Sequence, residues 1–403
     1  MQFITGGVCA AKGFTAAGVH CGIRKNKDKK DLALIVSSTL CTAAATYTTN
    51  LVKGAPIAVT KANIANGTAQ AVICNSGNAN TCNADGEAVA AAMCTLVQQQ
   101  TGIPAANVVV ASTGVIGQPM NITPIATAMP ALAAALGNHS HDAVHAIMTT
   151  DTKPKEVAVS FTVGGVECHM GGIAKGSGMI HPNMATMLVF LTCDAAISHA
   201  MLQKALSADI TDTYNMTSID GDTSTNDMCC ILANGQAGNV EITDEGADYT
   251  AFCAALHTVN ETLCRAIAAD GEGATKMLEC IVSGAKDKRT AKIAAKSVVC
   301  SSLFKAAMFG ADANWGRVLC ALGYSGADID VTKVDVAFQS VKGSVTVCQN
   351  GAGVPFSEEE AKQILLQPEI KIFIALHSGN ASATAWGCEL TYDYVKINGD
   401  YRT

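Results

Sequence analysis

A threonine set between a bent, proline-bearing turn and an apolar strand can act on its own chain, and this sequence contains one. Over Ile180–Phe190 (IHPNMATMLVF) the chain passes from a turn through the small Ala185 to Thr186 and then into an apolar run. The Thr186 hydroxyl then starts a strand beneath a tightly bent backbone, where it can attack the carbonyl of Ala185. Water opens the ester that forms, leaving Thr186 with a free α-amine. Such a residue carries its own base: an α-amine with a pKa of about 7.7–8.0 is roughly one-third neutral near pH ~7.5, against about one part in a thousand for an unshifted lysine. Threonine with its own amine is an activated nucleophile. A threonine that merely begins a buried strand fits the same residues, and residue types alone leave both readings open.

Other chemistry-bearing patterns fail on order or spacing. Gly171–Gly178 (GGIAKGSG) imitates a phosphate loop, but Lys175 precedes Gly176 and no Gly-Lys pair follows. Asp220–Asp227 (DGDTSTND) begins like a calcium loop yet has Thr225 at the glycine position and Ile231 at that of the bidentate glutamate. His139, His141 and His145 have only Asp142 beside them and follow Gly137 and Asn138 as a helix entry would. Ser177 and Ser325 each miss the Gly-x-Ser-x-Gly elbow by one residue, and no Cys-x-x-Cys pair occurs. No metal is expected.

The elements that must position Thr186 alternate between β-rich apolar runs and helical ones, the pattern of a layered sheet-and-helix protein. Strands are predicted at 32–38, 69–75, 107–112, 157–163, 187–193, 277–282, 331–338, 344–348 and 370–376. Helices are predicted from Asp85, with Asp and Glu ahead of 88–100, from 123, and at 198–209, 248–269, 290–308 and 358–366. The 171–178 segment is too rich in glycine to continue either neighbouring strand without a turn. The 403 residues suffice for two or three compact units. A net charge of −7 and 15% charged residues, against roughly 25% on average, exclude a nucleic-acid footprint. No run nears the roughly 18 apolar residues of a membrane span. The N-terminus lacks a secretory pattern, so a cytoplasmic location is expected, in which the 17 cysteines act as small hydrophobes.

From end to end the chain resembles the ornithine acetyltransferase family of arginine biosynthesis, also called glutamate N-acetyltransferase, whose members cut themselves before a threonine. The matching words include Lys12–Gly18, Thr48–Asn50, Asn75–Asn80, Ser112–Gly114, Thr149–Thr152, Lys175–Thr186, Asp220–Asp227, Asp270–Lys276, Asn314–Arg317 and Val395–Thr403. The resemblance implies ping-pong acetyl transfer from N-acetylornithine to glutamate through acetyl-Thr186. It implies Thr113 and Gly114 as the oxyanion hole, and Thr152, Lys175, Thr186, Glu272, Asn398 and Thr403 as substrate contacts. No cofactor is required, and acetyl-CoA is a second donor that some members accept. The implied fold is an α/β sandwich of the self-processing threonine-nucleophile type with a smaller C-terminal α/β lobe from about 285. Cleavage would leave an α chain, 1–185, and a β chain, 186–403, paired as a heterotetramer of two each, without nucleic acid or membrane. No role follows for Asp220–Asp227 or Asn314–Arg317 beyond support. Gly399 would loosen the tail that presents Thr403. Two rivals stand beside this reading: a self-processed amidohydrolase or aminopeptidase that uses water as acceptor, and a processed binding protein that forms no acetyl-threonine.

Overall fold

The computed structural model describes residues 1–181 and 187–400, so Ala185, Thr186 and Thr403 lie outside the described residues. Nine strands form the first sheet: β1 (Gln2–Ile4), β2 (Phe14–Val19), β3 (Leu32–Tyr47), β4 (Thr68–Asn78), β5 (Val108–Val115), β6 (Lys155–Val163), β7 (Val166–Lys175), β8 (Leu188–Cys193) and, after β9 (Thr217–Ser218), β10 (Met228–Ala233). Their order is β1-β6-β7-β8-β10-β3-β4-β5, with β2 also on β3. A smaller, seven-stranded sheet contains β9, β11 (Met277–Ala285), β12 (Asp335–Ser340), β13 (Gly343–Gln349), β14 (Ala352–Gly353), β15 (Glu369–Ala375) and β16 (Ala381–Cys388). Helix α1 spans Ala55–Asn63, α2 Gly86–Thr101, α3 Thr123–Ala134, α4 Ser140–Ile147, α5 His199–Ile210 and α6 Ala247–Ala269. The later helices are α7 (Lys288–Cys300), α8 (Ser302–Phe309), α9 (Trp315–Gly323), α10 (Glu358–Leu365) and α11 (Tyr392–Asp400).

The molecule is a layered α/β sandwich with a smaller C-terminal α/β lobe. The centre of the first sheet is covered on both faces, so β8 and β10 are buried at every position rather than alternately. Leu188, Phe190, Met228, Cys230 and Leu232 enter one core, while Val189, Leu191, Cys229 and Ile231 enter the other. Helix α6 joins the layers by packing on β6 and β7 and also on β16 and β11. All 17 cysteines are free, and most are buried.

Three sequence expectations change. The glycine-rich seam is strand as far as Lys175: β7 runs through Gly171 and Gly172 because a Cβ at Gly171 would meet the Gly7 carbonyl oxygen at 1.8 Å and one at Gly172 would meet Leu191 at 2.5 Å. Here glycine allows close packing within a strand. The single helix expected over 290–308 is two, because Ser301 leaves helical geometry and accepts the Phe304 N–H as the cap of α8. The strand expected from 331 begins at Asp335, after a turn in which Asp330 accepts the Thr332 N–H. The smaller sheet also takes in β11 and β9, which precede residue 285.

Candidate functional site

The cleft is built at strand ends. Parallel strands β4 and β5 keep register to their tips, where Gly77 faces Gly114. Gly114 has φ +128°, and a Cβ there would lie 2.3 Å from the Gly77 carbonyl carbon. Only glycine lets the two backbones approach this closely. Thr113 and Gly114 are thereby presented to the cleft wall.

Lys175 ends β7, is 8% exposed, and has no carboxylate within 4 Å of its ammonium among the described residues. A buried cation without an acid partner is a ready receptor for an anion. The loop that follows hangs on a buried ion cluster. Lys155 Nζ lies 2.7 Å from Asp151 Oδ1 and 2.6 Å from Asp270 Oδ2. Asp151 Oδ1 also accepts the Gly176 N–H at 2.7 Å, and the Ser177 hydroxyl donates to the Asp270 carbonyl at 2.7 Å. Burial would push the Asp151 carboxyl up, but the ammonium groups of Lys155 and Lys175 hold it far below the usual range.

Glu272 sits at the far end, 8% exposed, with its N–H donating to the Ser177 carbonyl at 2.8 Å. Asn398 Nδ2 donates to Glu272 Oε2 at 2.7 Å. Asn398 belongs to α11, which is docked because Thr391 donates to the Gly273 carbonyl and accepts the Tyr394 N–H.

The remaining wall comes from the acidic run that lacked a role. Asp220 accepts the N–H groups of Met179 and Ile180 at 2.6 and 2.9 Å, and the Thr223 hydroxyl donates to the His181 carbonyl at 2.7 Å. Asn226 Nδ2 donates to the carbonyls of Ala79 and Ser112, while its Oδ1 accepts from Thr81 and Thr225. This one amide ties the run to the tips of β4 and β5. Asp227 is buried, and burial holds its carboxyl well above the usual range. His181, whose Nδ1 lies 3.0 Å from the Ser218 hydroxyl, is pushed down to about 4 by burial and by Lys296, so its imidazole is neutral at pH 7.

These residues enclose a cleft of about 110 Å³ lined by Thr113, Gly114, Lys175, Glu272 and Asn398, with Thr149, Thr150 and Ser224–Asn226. Thr113 and Lys175 also line an adjoining chamber of about 20 Å³ that reaches Met187 and Asp227. Five expected site residues therefore come together. Thr152 does not line the cleft: it is exposed, and its hydroxyl and N–H are bound to the Asp270 carboxylate, so the neighbouring Thr149 and Thr150 take the wall. Thr186, Ala185 and Thr403 lie outside the described residues. Sequence reasoning missed Ser224, Asn226 and Asp227 as walls, although the Asp220–Asp227 word was the signal. Asn314 caps α9 and Trp315 packs on Gly353, both structural positions.

The model of the ArgJ family matches residues 15–403. The chain is 49% identical to the arginine biosynthesis bifunctional protein ArgJ of Caldanaerobacter subterraneus subsp. tengcongensis, over 100% of both chains. It is 50% identical to the protein of the same name from Symbiobacterium thermophilum, again over 100% of both. Among solved structures, the arginine biosynthesis bifunctional protein argJ of Bacillus halodurans is similar at 46% identity and TM-score 0.50, covering 52% of this chain and 97% of that one.

Proposed function

This chain belongs to the ArgJ family, and we propose that it transfers acetyl from N2-acetyl-L-ornithine to L-glutamate, giving L-ornithine and N-acetyl-L-glutamate, through acetyl-Thr186. The observation that carries this reading is the buried Lys175, with no carboxylate within 4 Å of its ammonium among the described residues, between Thr113–Gly114 and Glu272–Asn398. Both substrates are amino acids with an α-carboxylate, and both reactions pass through a tetrahedral oxyanion. Met187, the residue after the nucleophile, lines the chamber shared by Thr113 and Lys175, and a trans peptide holds consecutive Cα atoms about 3.8 Å apart.

In this scheme the Thr186 hydroxyl attacks the acetamide carbon and its proton passes to the residue's own α-amine. Donors at Thr113 and Gly114 receive the oxyanion, an effect of about 10²–10³ in rate per donor. Ornithine leaves with the proton, and the glutamate amine then attacks the acetyl ester. Lys175 takes a carboxylate, and Glu272, aligned by Asn398, takes an ammonium group. Acetyl-CoA as second donor would load the same hydroxyl, and no cofactor is needed.

The amine arises by self-cleavage between Ala185 and Thr186. The length of the solved Bacillus halodurans chain, little more than half of this one, supports such a cut. The α and β chains then form one body, and two bodies a heterotetramer, in the cytoplasm. No helix among the described residues is long and apolar enough to cross a membrane.

The test is the intact mass of the purified protein before and after N-acetylornithine is added without glutamate. Two fragments are expected, the one beginning at Thr186 gaining an acetyl mass that glutamate removes, while Thr186→Ala stays whole and inactive. Normal cutting and turnover in Thr186→Ala would overturn the scheme, and release of acetate without need of glutamate would make the protein a hydrolase.

A further inference from the structure

We propose that the groove between α1 and α5, along the end of β3, binds a phosphate group, free or esterified to a small molecule, apart from the cleft that holds Thr113 and Lys175. The groove arises where one strand outruns its neighbour. Strand β4 starts at Thr68 opposite Thr42, whereas β3 runs on to Tyr47 with β10 on its other side. Gln203 of α5 fills the first vacant place: its amide accepts the Ala45 N–H and donates to the Ala45 carbonyl, both at 3.3 Å. Beyond it a groove of about 450 Å³ remains, within the roughly 300–1,000 Å³ of small-molecule sites.

Its lining carries positive charge and unused donors. Lys53 and Lys61 line it, no Asp or Glu does, and neither ammonium forms an ion pair among the described residues. In a chain of net charge −7, two such cations in one groove set a local field that attracts anions. Lys61 stands 4.8 Å from the centre of the Tyr47 ring, which holds its ammonium at the groove. Thr46 is 4% exposed, and its hydroxyl and that of Tyr47 are buried without a hydrogen-bond partner among the described residues. An occupant with acceptor oxygens would remove the cost of leaving them unmatched. Burial pushes the Tyr47 phenol up, so it keeps its proton and stays a donor. The Ser207 hydroxyl accepts from Gln203 at 2.9 Å and has its own proton to give.

A phosphate group matches this set, since near neutral pH it carries a charge of about −1.5 to −2 and three strong acceptor oxygens. A single carboxylate would leave the second ammonium unmatched. No residue lines both the groove and the cleft. The two stand back to back: Thr48 lines the groove, and its hydroxyl donates at 2.7 Å to the carbonyl of Ser224, which lines the cleft. The proposed acetyl transfer uses no group in the groove, so this site stands or falls independently of that reaction.

The test is isothermal titration of the purified protein, in a phosphate-free buffer, with inorganic phosphate, phenyl phosphate and succinate. Lys53→Ala and Lys61→Ala each replace an exposed side chain and should leave the melting temperature in place. Wild type should bind phosphate saturably at one site, and each of these variants should weaken it about 10-fold or more, the range for a hydrogen bond to a charged group. Lys27→Ala, on an exposed loop, should not weaken it. Succinate, whose charges sit at opposite ends of an apolar link, should bind more weakly than either phosphate. Phenyl phosphate binding tighter than inorganic phosphate would identify an ester as the occupant, and the reverse order the free ion; both orders support the site. No saturable heat in wild type, unchanged affinity in both lysine variants, an equal loss in Lys27→Ala, or succinate tighter than both phosphates would each overturn it.

Discussion

Replacing Lys155 by methionine tests the idea that the Lys175 loop is held by charge. The Lys155, Asp151 and Asp270 side chains are 1%, 0% and 4% exposed, and the ammonium touches both carboxylates at 2.7 and 2.6 Å. Removing the ammonium strands two buried carboxylates, and breaking a buried pair in this way costs about 3–5 kcal/mol. The expected readout is a drop of that size in unfolding free energy at pH 7, from urea melts followed by circular dichroism. In the wild type the lowered Asp151 contributes stability that is present above the unfolded value of about 3.9 and lost as pH falls through the lower folded value. In Lys155→Met the sign inverts for Asp151: with burial now raising its folded value, the stability is complete below about pH 4 and lost as pH rises, so the gap to wild type narrows from pH 7 towards 5. Because Asp151 also holds the Gly176 N–H, Lys175 should shift, and a 1 Å displacement can lower kcat/KM about 10²-fold. Adding Asp270→Asn removes one stranded charge and should restore part of the loss. A Lys155→Met protein within about 0.5 kcal/mol of wild type, the range of neutral surface changes, would refute the cluster's role.

Two glycines give sharper local tests. Gly114→Ala places a methyl 2.3 Å from backbone that cannot move aside, at φ +128°; acetyl transfer should fall by about 10²-fold or more and the protein should be destabilised by about 1–3 kcal/mol, measured as single-turnover acetylation and a urea melt. Gly178→Ala would meet Glu272 Cδ at 2.3 Å and displace that flexible side chain, so KM for N-acetylornithine should rise about 10-fold while the melt changes little; an unchanged KM would count against Glu272 as a substrate contact.

How much of this was legible in the chain depended on what each segment buries. The central strands β4, β5, β6 and β8 stood out as apolar runs because both faces of the sheet are covered. Helix α11 did not, since it buries no residue fully, while of α4 only the entry at Gly137 and Asn138 was legible. The seam at Gly171 misled because glycine signals a turn and an intimate strand contact in the same letters, and only the Gly7 carbonyl 1.8 Å from the missing Cβ tells them apart. Within Thr149–Thr152, hydroxyl chemistry is identical, so no residue type separates the wall-forming Thr149 and Thr150 from Thr152, whose hydroxyl is bound to Asp270. Asp220–Asp227 was visible as a pattern but not as a wall, because its bonds run to Ala79 and Ser112, more than a hundred residues away.

The sheet order bears on what the proposed cut would separate. Strands β8 and β10, which would belong to the fragment beginning at Thr186, lie between β7 and β3, which would belong to the other. Six residue pairs link β7 to β8 and six link β10 to β3, so cutting the connection leaves both ladders intact and both faces covered. The same argument fixes what the cut can change. Lys175 pairs in register with Leu188, so the strand end that carries the buried ammonium lies two residues along the chain from the proposed α-amine. A cation there disfavours a second positive charge and keeps more of the amine in the neutral, proton-accepting form. The cut would thus leave the fold as it was and create the base where the sheet already holds the anion receptor.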